Sequence, residues 1–368
     1  MQAKWIWETD QWPNFVVNHQ AVMPHLLTAV RAVSPLIALS KELSPEKLAE
    51  FESQVLLDET LSTSSIEQEY LDRDSVRSSI ARHLGLPRSK PHDKRYEAFT
   101  EVYFESIRTA NQALSAQQLK KWHAMLFIEK PVLKAITLGD YRNETMAVVS
   151  GHFGRNETVH FQAPCDSREC VTTYMDTFLE WLNHQQGLSD YLRAAIAKFW
   201  FVTIHPFDDG NGRLSRIIAE RCLAEADHTD LRLYSISSEI ENKKSEYYDI
   251  LETSQKGDGD LTDWTIWFLQ CVTDAAKTSL NRLEKVRSAT QFWDTHRQHS
   301  FNERQRKLLV RLLETPDFDD GIAKRKYKNL VATSDATAAR DLTELVNYGV
   351  LTSQGKGRSV KYFLVLEK

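Results

Sequence analysis

From Ser44 to about residue 296 the sequence reads as one helical segment after another, and a chain so patterned packs mainly helix against helix. Ser44-Pro45 pairs a capping serine with proline at the first helical position, predicting a helix towards Ser62. A second pattern over about 74–83 is closed by Gly85 and Pro87. Apolar spacing predicts further helices over about 94–112, 116–127, 167–184, 190–204, 212–225, 241–255 and 261–296. One β signal interrupts them: residues 146–150 and 158–161 flank Gly151, Gly154 and Asn156, a hairpin with a mobile tip.

Residues 1 to about 40 carry Trp5, Trp7, Trp12-Pro13 and Phe15 without a simple helical period, and are read as a packed aromatic lid. A chain of 368 residues with 42% hydrophobic content suits two or three domains. The apolar stretch 194–204, interrupted by Lys198, is too short to span a bilayer, so no membrane segment is expected. The N-terminus lacks an apolar core with a small-residue cleavage site, which points to the cytoplasm. Cys165, Cys170, Cys222 and Cys271 show no Cys-x-x-Cys pair and are read as reduced, structural thiols.

The chemistry concentrates in His205-Pro206-Phe207-Asp208-Asp209-Gly210-Asn211-Gly212-Arg213-Leu214-Ser215-Arg216, set between two helical patterns. Pro206 biases His205 away from helical angles, so the preceding helix ends there with the imidazole at the mouth of the loop. Gly210-Asn211-Gly212 lets several N–H groups point one way at the start of the next helix, where orphan donors and the macrodipole favour phosphate. An acidic residue beside such a cradle would repel phosphate unless a cation intervened, which makes Asp209 a candidate ligand for Mg²⁺ or Mn²⁺. Arg213 and Arg216, at i and i+3, can reach one anion from one face. His205 is the natural general base.

This run resembles the signature of the Fic family, H-x-F-x-[DE]-G-N-G-R-x-x-R, at every specified position. The resemblance implies a protein adenylyltransferase that moves AMP from ATP onto Ser, Thr or Tyr hydroxyls of target proteins or of itself. His205 would deprotonate the hydroxyl, and Asp209 would hold Mg²⁺ between the α- and β-phosphates. Gly210, Asn211, Gly212 and Arg213 would cradle phosphates, and Arg216 would meet the γ-phosphate. The hairpin, with Met146, Val148, Val149 and Ser150, resembles the family's flap, which pins a target segment by strand addition. Asn242, Tyr247 and Tyr248 fall where the family keeps adenine-pocket residues.

Upstream, Thr63-Ser64-Ser65-Ile66-Glu67-Gln68 resembles the inhibitory motif [ST]-x-x-x-E-[GN] of one class of Fic proteins, with Gln68 departing from the final Gly or Asn. By that resemblance Glu67 competes with the γ-phosphate for Arg216.

From Phe301 onward there are 13 Lys and Arg against 9 Asp and Glu, a local charge of +4 in a chain of −5. Helices at about 303–314, 324–330 and 334–347, then β-prone runs flanking Gly355-Lys356-Gly357-Arg358, resemble a winged helix-turn-helix that would bind duplex DNA. The expected fold is therefore mainly α: an N-terminal segment over 1–90 with the inhibitory helix, a helical Fic core with its flap over 91–296, and an α/β winged helix over 301–368. A homodimer fits symmetry statistics. Two alternatives stay open: a DNA-binding regulator whose core senses nucleotide, and a transferase or hydrolase with another donor or with AMP-removing activity.

Overall fold

The computed structural model describes residues 4–87, 94–128, 136–152, 155–184, 187–314 and 320–366, and what it describes is mainly helical. After a 3-10 turn at Ile6–Glu8 comes α1 (His19–Ser40), a helix that its internal Pro24 and Pro35 conceal in the sequence. Asn18 caps it, its Oδ1 accepting from the N–H groups of Gln20 at 3.1 Å and Ala21 at 3.2 Å. This helix overturns the expectation that no segment reaches membrane length. Its most apolar window has a mean hydropathy of 1.5, long and apolar enough to cross a bilayer by length and composition, and 28% of that window is buried. The aromatic segment ahead of it packs as expected, with Trp5 edge-on to Phe161 at 5.4 Å and Phe15 edge-on to Trp200 at 5.4 Å.

The helices α2 (Pro45–Ile66), α3 (Arg73–His83), α4 (Lys94–Arg108), α5 (Ala116–Leu126), α6 (Arg168–His184), α7 (Asp190–Ile204) and α8 (Asn211–Ala226) follow their expected segments within four residues. The helix expected over 241–255 is present as α10 (Lys244–Gln255); α9 (Ile236–Asn242), which was not expected, precedes it, and Lys243 at φ −110° and ψ 32° separates the two. A long helix, α11 (Thr262–Thr295), follows. At the centre α7 is buried from Tyr191 to Ile204, apolar around nearly its whole circumference, and packs along α8. That packing fixes both ends of the intervening loop.

The hairpin is present as β1 (Ala147–His152) paired antiparallel with β2 (Arg155–Gln162). Residues 153 and 154 of its expected tip lie outside the described residues. Cys165 and Cys170 are joined as a disulfide, which corrects the reading of four reduced thiols: Cys165 adopts φ 73° and the two Cα atoms come within 5.4 Å. Cys222 and Cys271 are free and buried.

The chain divides into two compact units, Met1–Ser279 and Leu280–Lys368. The second unit holds α12 (Glu303–Glu314), β3 (Ile322–Ala323), α13 (Lys324–Val331), α14 (Asp335–Asn347), β4 (Leu351–Gln354) and β5 (Lys361–Leu364), with sheet order β3-β5-β4. Leu308, Leu309, Ile322, Leu342, Leu345 and Val350 form its core. Buried Asp341 is its polar hub, accepting from Arg304 Nε at 2.8 Å and from the Tyr327 hydroxyl at 2.9 Å.

Candidate active site

The loop between α7 and α8 brings the sequence-predicted residues together. Helix α7 stops at Ile204 as expected, but His205 turns left-handed, at φ 52° and ψ 58°, rather than extended. Its Nδ1 lies 3.1 Å from the carbonyl of Val202, an oxygen that can only accept, so the proton sits on Nδ1 and Nε2 keeps its lone pair. Burial lowers the His205 pKa below its ordinary 6.5, while the Val202 carbonyl pulls the other way.

Gly210, at φ 81°, starts α8 in a conformation that favours glycine, and a Cβ there would stand 3.0 Å from the Phe127 ring. The buried Asn211 side chain bonds back into the loop. Its Oδ1 accepts from Phe207 N–H at 2.9 Å and its Nδ2 donates to Phe207 O at 2.8 Å, so it staples the loop and shapes the cradle from behind. Asp208 accepts from Thr137 N–H at 2.8 Å, whereas Asp209 is exposed and engages Gly210 N–H at 2.6 Å.

Arg213 and Arg216 are both buried and both are met by carboxylates. Arg216 Nη2 donates to Glu67 Oε1 at 2.7 Å and to the Thr63 carbonyl at 3.0 Å, and its Nε donates to the Thr63 hydroxyl at 2.6 Å. Burial works against both charges, yet the pair wins: Glu67 titrates below its usual range and Arg216 above its own. The Glu67 carboxylate stands over the cradle, its Oε1 2.0 Å from where a Cβ on Gly212 would lie. Arg213 Nη1 donates to Glu69 Oε2 at 3.1 Å, a second acidic contact that the motif comparison did not supply. Among the described residues, Arg216 Nη1 and Arg213 Nε are buried without a hydrogen-bond partner, donors suited to an anion in the cradle.

The odd residue of the upstream motif has a backbone explanation. Gln68 N–H donates to Ser65 O at 3.0 Å and Glu69 N–H to Ser64 O at 2.9 Å, the two bonds of a Schellman cap, with Gln68 left-handed at φ 60°. That position favours Gly or Asn because a side chain there costs about 1 kcal/mol. Gln68→Gly is therefore expected to raise the melting temperature by roughly 2 °C, read by calorimetry. Helix α10 secures the same turn: Lys244 Nζ donates to Ile66 O at 2.8 Å and the Tyr248 hydroxyl to the same oxygen at 3.4 Å.

A cavity of about 570 Å³ opens beside the loop, within the size range of small-molecule sites. Glu67, His205, Gly212, Tyr247, Tyr248, Val148, Val149 and Ser150 are among its lining residues. Asn242 is exposed at the end of α9 and is absent from that lining, so it does not share the pocket with the tyrosines. Met146 packs instead against the Trp5, Phe161 and Ala163 cluster at the root of the flap. A larger cavity, about 760 Å³, lies along Phe15, Thr173, Asp176, Trp181 and Trp200, away from the loop.

Three positions escaped the sequence reading. Arg142, fully buried, donates from Nε to His205 O at 2.8 Å and from Nη1 to Cys165 O at 2.8 Å, so one side chain ties the loop to the base of the flap. His123 stacks on Phe207 at 4.1 Å and its Nδ1 accepts from Gly139 N–H at 3.0 Å; burial lowers its pKa to about 4, a neutral prop. Lys198, buried in α7, donates to the Tyr247 hydroxyl at 3.0 Å under the cavity floor. Their signal is spread over long sequence distances, which no local motif records.

A histidine with its proton on Nδ1, a glycine-opened helix N-terminus and two buried arginines thus stand together beside a cavity in a mainly helical protein. Residues 113–223 match the model of the Fic/DOC family, and residues 5–86 match a domain of unknown function, DUF4172. The chain is similar to the protein adenylyltransferase Fic of Drosophila virilis, 35% identical over 114 residues, which is 30% of this chain and 22% of that protein. It is 34% identical over 90 residues to the Aedes aegypti protein of the same name, 24% of this chain and 17% of that one. The chain thus spans about a fifth of the length of these curated relatives. A Fic family protein from Desulfovibrio desulfuricans G20 superposes with a TM-score of 0.54 at 18% identity, covering 97% of this chain and 99% of that one. A Fic domain containing signaling protein from Bacteroides thetaiotaomicron gives 0.52 at 19% identity, covering 69% and 96%. At those identities the likeness establishes a shared, mainly helical fold.

Proposed function

We propose that this protein is a self-inhibited adenylyltransferase that moves AMP from ATP to protein hydroxyl groups. The observation that carries this reading is His205 with its Nδ1 tied to Val202 and its Nε2 lone pair kept, lining one cavity with Gly212 and Glu67. A bound hydroxyl would lose its proton to Nε2 as its oxygen bonds to the α-phosphorus. The bond from that phosphorus to the bridging oxygen breaks, and pyrophosphate leaves. The cradle N–H groups and the free donors of Arg213 and Arg216 stabilise the charge.

The residues present fit Mg²⁺. Asp209 is the exposed carboxylate beside the cradle, and among the described residues no cluster of three or more His, Cys, Asp or Glu could cage a metal. One carboxylate completed by phosphate oxygens and water is the usual magnesium arrangement. When bound, the ion would supply charge neutralisation to the phosphates. Glu67 and Thr63 hold Arg216 away from phosphate until the turn after α2 is released.

The test is label transfer from α-labelled ATP with Mg²⁺, comparing wild type, Glu67→Gly, and Glu67→Gly with His205→Ala. Tight ATP binding without label in any of them would favour nucleotide sensing or another donor. Because burial keeps the His205 imidazole neutral to lower pH, the acid limb of kcat/KM in the released variant is expected below pH 6.5.

The second unit supports a separate property, duplex DNA binding by a winged helix. On α14 the exposed Ala336, Arg340 and Thr343 form one face, opposite buried Ala338, Asp341, Leu342 and Leu345. Small residues around one arginine suit entry to a major groove, and Lys356 is exposed in the β4–β5 connection. The full chain is expected to be retained on duplex DNA and released steeply by salt. No retention even at low salt would assign this unit to protein contacts.

A further inference from the structure

The flap carries a constellation that the transfer mechanism leaves unused. Ser150 Oγ on β1 lies 2.6 Å from His160 Nε2 on β2, and His160 Nδ1 lies 2.8 Å from Glu252 Oε2 on α10. Glu252 pairs through its other oxygen with Lys256, and the Lys256 contact, then that with His160, hold its carboxyl below the usual range. An ionised carboxylate can only accept, so His160 carries its proton on Nδ1 and its Nε2 accepts from the serine hydroxyl. Nucleophile, base and orienting carboxylate thus stand in hydrogen-bonding sequence.

The backbone is shaped for this. Pairing in the hairpin jumps from Val148↔Phe161 to Val149↔Val159, which leaves His160 as the extra residue of a β-bulge. Bulges re-aim a side chain, and here the imidazole meets both Ser150 and Glu252. Ser150, His160 and Glu252 line the same cavity as His205 and Gly212. Ser150 is exposed, so no packing role requires its hydroxyl.

We propose that Ser150 is a built-in acceptor for AMP, activated by His160 and Glu252, so that the flap is covalently modified by the site it borders. The inference rests on the adenylyl-transfer reading. In the step, Ser150 Oγ bonds to the α-phosphorus of ATP, its proton passes to His160 Nε2, and the bond to pyrophosphate breaks. Glu252 balances the imidazolium. A modified Ser150 places a bulky anion in the cavity and blocks the edge where a target would dock.

The experiment incubates full-length Glu67→Gly protein with ATP and Mg²⁺ and maps AMP by peptide mass spectrometry. AMP on Ser150 is expected, absent in Glu67→Gly with Ser150→Ala and regained with Ser150→Thr, which keeps a hydroxyl. Adding His160→Gln is expected to slow Ser150 modification roughly 100-fold. Modification of other residues or of other proteins in an extract, with Ser150 unmodified, would overturn this inference and leave the transferase reading standing. An unchanged rate in His160→Gln would overturn the activation. No AMP on any protein would remove the transferase reading and this one with it.

Discussion

Glu67→Gly is expected to raise the rate of AMP transfer roughly 10- to 100-fold over wild type, measured with α-labelled ATP at saturating Mg²⁺. The magnitude follows from the contact removed, a charged hydrogen bond of 2.7 Å between Glu67 and buried Arg216, worth about 1.5–3 kcal/mol. The same carboxylate stands over Gly212, so its removal also opens the space where phosphate would lie. Glu67→Gln keeps the shape and loses the charge, and should fall between the two. The released variant should melt lower than wild type, because Arg216 then keeps Thr63 alone of its present partners, and should recover on adding ATP through mass action. An unchanged rate in Glu67→Gly would show that the turn after α2 restrains nothing.

His205→Ala in that released background should lower transfer to target proteins by roughly 10²–10⁴-fold, the range for loss of a positioned general base. Folding should survive, since among the described residues the histidine's one side-chain hydrogen bond is to the Val202 carbonyl and the loop is held independently by Asn211 and Arg142. ATP affinity, read by calorimetric titration, should stay near the parent value, because the cradle and the arginines are untouched. A loss of affinity matching the loss of rate would instead assign His205 to binding, and the base would have to be sought elsewhere on the cavity wall.

Much of this site lies on a short stretch of chain and is legible there. Positions 205 to 216 place base, acidic residue, glycines and arginines within twelve residues, and the cap at Ser44 marks where α2 begins. The upstream glutamate was legible only through the motif that Thr63 to Gln68 resembles, since Ser or Thr four residues before Glu is common on ordinary helices; packing is what brings both Thr63 and Glu67 to Arg216. Helix α1 was hidden, since Pro24 and Pro35 normally break helices and much of its apolar surface stays outside this chain's core. The break between α9 and α10 carries neither Gly nor Pro, and rests on Lys243, whose ammonium reaches Asp274 at 2.6 Å.

By itself the sequence determined the helical class, the glycine-rich loop between two helices and the residue types that can do chemistry there, because these depend on periodicity, caps and neighbours within a few turns. The tertiary structure decided what surrounds that loop. Arg142 gathering carbonyls from residues 165 and 205, Glu69 reaching Arg213 across 144 positions, and Glu252 meeting His160 across 92 are contacts between segments that only packing brings together. Hydrogen bonds and charges act over a few ångströms of space, whatever the separation along the chain, so these partners leave no local pattern to read.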